Sequence, residues 1–96
     1  MRRESKAPID SLLNLGPKSA QWLAAIGIST GAALRRVGPV PAYVQLKRTR
    51  RGVSLNLLYA MVGALEGVHW TEIRRTRRLE LLLEMEDHEK RHSPHK

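Results

Sequence analysis

Two Gly-Pro pairs, Gly16-Pro17 and Gly38-Pro39, and three further glycines, Gly27, Gly52 and Gly67, cut this chain into short segments. Proline suits the first position of a helix, because its fixed φ is already helical and its missing N–H had no partner there. Glycine suits the stop, because without a Cβ it adopts the left-handed conformation freely. Between these interruptions apolar residues recur at intervals of three and four, with no strict apolar-polar alternation. A chain divided in this way builds short helices packed on one another, and the pattern predicts an all-α fold.

Asp10 and Ser11 are placed to cap a first short helix through Asn14. Pro17 opens a second, running to about Ile26, and Ser29 or Thr30 opens a third that ends at Gly38. Pro39 and Pro41 open a fourth, reaching about Arg51 before the stop at Gly52. Ser54 is placed to cap a fifth over residues 55–66, and a sixth begins near His69 to Thr71, with Glu72 in its first turn, and continues to about Glu89. The fifth is apolar on nearly every side, which predicts the buried centre of a bundle. Gly63 within it costs about 1 kcal/mol relative to alanine, so a second helix is expected to pass close by. The expected domain is a compact bundle of five to six helices over residues 10–89, with a flexible basic N-terminus over 1–9 and a disordered tail over 90–96.

A chain of 96 residues supports one small domain with a thin core, which disfavours a deep active site. Its 17 Lys and Arg against 9 Asp and Glu leave a net charge of +8, so a polyanion is the expected partner, nucleic acid before a membrane surface. There is no cysteine, hence no disulfide and no thiolate metal site. No signal peptide or membrane span is evident, and cytoplasmic residence is the simplest expectation. The serines lack a protected histidine partner and no phosphate-loop or dinucleotide signature is present, so neither an enzyme nor a cofactor is expected. Glu84, His88 and His92 fall at four-residue steps, with His95 following, and read as a solvated tail in preference to a metal site.

Leu12, Leu15, Gly16, Pro17 and Ala20 recur 22 positions later as Leu34, Val37, Gly38, Pro39 and Ala42. Each copy reads as helix, Gly-Pro turn and helix, and the first resembles a helix-hairpin-helix. Leu15 would plug the angle between its helices, and Gly16 would let the backbone approach a phosphate. The free amides of Gly16, Lys18 and Ser19, at the positive end of a helix dipole, would bind an anion with help from the Lys18 charge and the Ser19 hydroxyl. Asn14, where many such hairpins carry glycine, tolerates a left-handed backbone. In the second copy Val40 and Pro41 replace Lys18 and Ser19, so that hairpin is expected to be degenerate and structural.

The ordered blocks 14–20, Trp22-Leu23, 26–28, 52–60, 63–67 and 69–72 together resemble the C-terminal domain of TfoX/Sxy-type competence regulators, over residues 10 to 80. The resemblance implies a bacterial regulatory role in DNA uptake or transcription, in a version lacking the N-terminal domain that commonly precedes this one.

Lys47, Arg48, Arg50 and Arg51 form one basic cluster, and Arg74, Arg75, Arg77 and Arg78 another. Opposed only by Glu66 and Glu72, these eight give +6 between Lys47 and Arg78. The leading reading is a regulatory protein that binds the DNA backbone. Gly16, Lys18 and Ser19 would contact phosphate, and Lys47, Arg48, Arg51, Arg74, Arg75 and Arg78 would supply the surrounding field. The alternative is a docking module for another regulator or RNA polymerase. Trp22 and Trp70 read as core anchors. Beyond Leu79 the sixth segment turns acidic, with Glu80, Glu84, Glu86, Asp87 and Glu89, while its leucines cover more than one face, which leaves a homodimer seam open.

Overall fold

The computed structural model describes residues 7–91. An opening 3-10 turn, Ile9–Ser11, is followed by α1 (Pro17–Ala25), α2 (Gly31–Val37), α3 (Pro39–Thr49), α4 (Leu55–Glu66) and α5 (Trp70–Arg91). No strand occurs among the described residues, only an isolated bridge between Pro8 and Thr30. Pro17 and Pro39 start their helices as the sequence requires. Gly27, Gly38, Gly52 and Gly67 all have positive φ at or near helix ends. Thr30 is the side chain that caps α2, accepting from the Ala33 amide at 3.2 Å.

Three expectations need correction. The first segment is a single 3-10 turn ending at Ser11, because the chain is extended at Leu12 and left-handed at Asn14, so Asp10 and Ser11 cap no α-helix. Ser54 occupies the N-cap position of α4 but its side chain makes no capping bond. Residues 7–9 are not a loose end: the Gly31 amide donates to the Ala7 carbonyl at 3.0 Å, and Ile9 is buried. Lys90 and Arg91 are helical, and the rest of the expected N-terminus and tail, with His92 and His95, lies outside the described residues.

The core forms around α4, in which every residue from Leu57 to Gly63 is buried. Leu23, Leu34, Val44, Leu46, Ile73 and Leu81 close over it from the other four helices. Gly63 is in close contact, as its position within a helix implied, but the neighbour is not a helix. A Cβ there would lie 2.2 Å from the Val68 carbonyl oxygen and 2.6 Å from Asn14 Nδ2. The chain folds back over α4 at this point, with the Val68 amide donating to the Gly63 carbonyl at 2.9 Å.

The backbone of α5 leaves helical geometry at Arg77, with φ −129° and ψ 15°. Neither proline nor glycine lies within the helix to cause this. Instead the Arg77 guanidinium bridges Glu66 of α4 and Glu80 of α5, tying the break to the bundle. The bridging hydrogen bonds raise the Arg77 pKa further, and its bond to Glu80 holds that carboxyl below its ordinary value of 4.5. A depressed carboxylate pKa contributes stability that is complete above the ordinary value and is lost as pH falls through the folded one. Thermal melts from pH 6 to pH 3 should therefore show the gap between the wild type and Glu80→Gln closing on acidification. A gap of constant size would exclude this role for the pair.

Candidate nucleic-acid interface

The Gly16-Pro17 turn, which is preceded by the 3-10 turn and not by the α-helix that a helix-hairpin-helix requires, reaches its shape through Asn14. At φ 74° it is the one described non-glycine residue in the left-handed region. Its amide nitrogen donates to the carbonyls of Val68 at 3.0 Å and Ala60 at 3.4 Å, and its Oδ1 accepts from the Trp70 amide at 3.2 Å. One side chain thereby fixes the start of α1 against α4 and the start of α5. Leu15 is buried directly behind the turn. Gly16 has extended backbone, φ −127°, and no atom lies within 4 Å of the position a Cβ would take.

The N-terminus of α1 is consequently open. Its N-cap receives no side-chain bond, and among the described residues the amides of Gly16, Lys18 and Ser19 have no acceptor. Lys18 is exposed and Ser19 half-buried. The turn borders a groove of about 340 Å³ lined by Asn14, Ser19, Trp22, Ser54, Asn56 and Trp70 among others. Ser54 is the N-cap residue of α4 and Asn56 lies in its first turn, and Trp70 is the first residue of α5. Three helix N-termini thus converge on one concavity, adding their positive dipole ends.

Trp22 is only half-buried, and reading it as a core anchor captures half of its environment. Its inner side packs on the core, while Lys18 Nζ lies 5.7 Å and Arg50 Cζ 5.5 Å from its ring centroid. Cation–π attraction holds both charges at the mouth of the hairpin. Trp70 is likewise half-buried, and its ring stacks on His69 with centroids 6.0 Å apart. Arg50, visible in the sequence only as one member of a run, is the residue of that run that the fold brings to the Trp22 ring, which Lys18 also approaches. Only the spacing of Trp22 four residues after Lys18 hinted at such a platform.

The other basic residues divide. Arg51 lines a neighbouring depression with Ala25, Ile26, Gln45, Thr49 and Arg50, and Arg48 is exposed on the last turn of α3. Lys47 turns instead to α5, where it meets Glu89 at 3.2 Å. Arg75 is exposed and paired with Glu72, with its pKa raised by that hydrogen bond. Arg74 lies one turn beyond Trp70, and Arg78 borders the outer surface of α5 with Leu79 and Leu82. No ion pair or ring contact among the described residues joins the α5 arginines to Lys18. The second hairpin is closed: Val40 is buried, and Pro39 and Pro41 have no amide hydrogen to offer. Among the described residues no three His, Asp or Glu side chains converge on a metal position, and no helix is long and apolar enough to cross a membrane.

Comparison with known proteins agrees with this architecture. A crystal structure of an uncharacterised protein from Listeria monocytogenes superposes with a TM-score of 0.73 at 28% identity, covering 94% of this chain and 99% of the other. No curated protein matches the chain. The family model of the TfoX C-terminal domain matches residues 5–85, from before the opening turn into the second half of α5. That span takes in the hairpin, the groove and the helix packed beneath them, and the chain belongs to the TfoX C-terminal domain family.

Proposed function

We propose that this protein is a non-enzymatic regulatory module that binds the phosphate backbone of duplex DNA without strong sequence preference. One observation supports this above the others. Gly16 stands where neither its backbone nor its neighbours require glycine, at the open end of a helix whose first amides lack acceptors. A side chain there would enter the space that a phosphate oxygen must occupy to reach those amides. Lys18, Arg50 and the Ser19 hydroxyl complete the contact, and Ser54 and Asn56 offer donors across the groove. Arg48 and Arg51 extend the field at the end of α3. Lys47, Arg74, Arg75 and Arg78 act at longer range.

Fluorescence anisotropy of a labelled duplex, titrated at several salt concentrations, tests this reading. About three phosphate contacts should give a slope of about −3 in log affinity against log salt. Lys18→Ala combined with Arg50→Ala should weaken binding roughly 10- to 100-fold and reduce that slope by about 2. Gly16→Ala should lower affinity while changing stability by less than about 1 kcal/mol. Absence of binding at low salt, or full affinity in the double variant, would end the proposal.

A further inference from the structure

The outer face of α5 is mostly charged, but near its middle it exposes leucines where a lone helix of a small domain would be expected to be polar. Leu79 is 70% and Leu83 56% exposed, and Leu82 is half-buried. Leu79 and Leu82 share a shallow depression with Arg75, Thr76 and Arg78. Although α5 leaves helical geometry at Arg77, Arg75 still borders that depression with Leu79 and Leu82, and Glu86 follows Leu82 one turn on in the regular helix beyond the break, on the same face. The seam therefore has two leucines at its centre, a cation at one end and an anion at the other. Glu86, Arg74 and Arg78 have no ion-pair partner among the described residues, and the pairs Arg75–Glu72 and Asp87–Arg91 are exposed and readily exchanged.

We propose that this face is covered by the same face of a second copy, packed antiparallel about a two-fold axis midway between Leu79 and Leu82. In that register each seam residue faces the one whose number brings the sum to about 161, since the axis lies at 80.5. Leu79 then packs on the partner's Leu82, and Arg75 meets the partner's Glu86. A parallel arrangement would stack arginine on arginine and carboxylate on carboxylate, so the charge order of the helix selects the antiparallel one. The requirements of the patch, an apolar centre with opposite charges at its two ends, are met by the patch itself. The stretch from Arg75 to Glu86 is about 17 Å long at 1.5 Å per residue, which sets the interface at the small end of the specific range. The dimer is accordingly weak and sensitive to salt. It uses none of Gly16, Lys18, Ser19 and Arg50, and it does not depend on DNA binding.

Sedimentation equilibrium of the full chain, from about 10 μM to about 1 mM at low and high salt, decides the matter. The expected result is a monomer–dimer equilibrium that weakens as salt rises. Leu79→Ser and Glu86→Arg should each raise the dimer dissociation constant at least about 10-fold. Combining Glu86→Arg with Arg75→Glu should restore it to within about 3-fold of the wild type, because the exchanged charges still face each other. All three positions are exposed, so circular dichroism should show the helical fold intact in each variant. A monomer throughout the concentration range, a dimer indifferent to Leu79→Ser and Glu86→Arg, or failure of the charge exchange to rescue would each overturn the proposal. The first of these would leave the face to a different protein.

Discussion

Gly63→Ala should destabilise the protein by about 3 kcal/mol and lower its melting temperature by roughly 10–25 °C, although alanine is the better helix former by about 1 kcal/mol. The two effects oppose each other, and distance decides between them. The added methyl would stand 2.2 Å from the Val68 carbonyl oxygen and 2.6 Å from Asn14 Nδ2. Relief requires the backbone to retreat by more than 1 Å toward ordinary contact at about 3.5 Å. Retreat of Val68 would strain its 2.9 Å bond to the Gly63 carbonyl, and retreat of Asn14 would break the tie between α1 and α5. Against a total stability of about 5–15 kcal/mol, the loss is large. Chemical denaturation measures it, and an unchanged or raised midpoint in Gly63→Ala would show that the crossing can relax. Gly16→Ala serves as the control, since nothing lies within 4 Å of its Cβ position.

Asn14→Ala should cost about 2–3 kcal/mol, from the loss of its two best hydrogen bonds and the left-handed backbone forced on alanine. Asn14→Gly separates the causes: it removes the backbone strain and leaves the Val68 carbonyl and Trp70 amide without partners. Recovery of about 1 kcal/mol in Asn14→Gly relative to Asn14→Ala is expected, with the remainder assigned to the bonds. Both variants should also loosen the groove, because α1, α4 and α5 meet at this side chain. Urea titrations of the three proteins provide the comparison, and equal stability of all three would mean that Asn14 holds nothing.

The helices were legible because their ends are local. Pro17, Pro39, Gly27, Gly38 and Gly67 act on the φ angles of their own residues, and the apolar run of α4 could only be a centre. The single 3-10 turn at residues 9–11 escaped because its stop is the Asn14 turn, which distant carbonyls hold in place. The chemistry of the hairpin was legible in part: Gly16, Lys18 and Ser19 follow from the Gly-Pro junction, whereas Arg50 is 32 positions from Lys18 and reaches it only through Trp22. Lys47 shows the converse, since a cation that reads as part of a basic surface is turned to Glu89 by the path of α5.

Sequence alone thus determined where the five α-helices start and stop to within about two residues, which helix is innermost, and that one turn would present unused amides beside a lysine, because these depend on dihedral preference and on hydrophobic period. Tertiary structure alone decided which cations gather at that turn, what presses on Gly63, and where α5 breaks at Arg77. Those outcomes depend on contacts between residues far apart in the chain, and no local preference encodes the meeting of such groups.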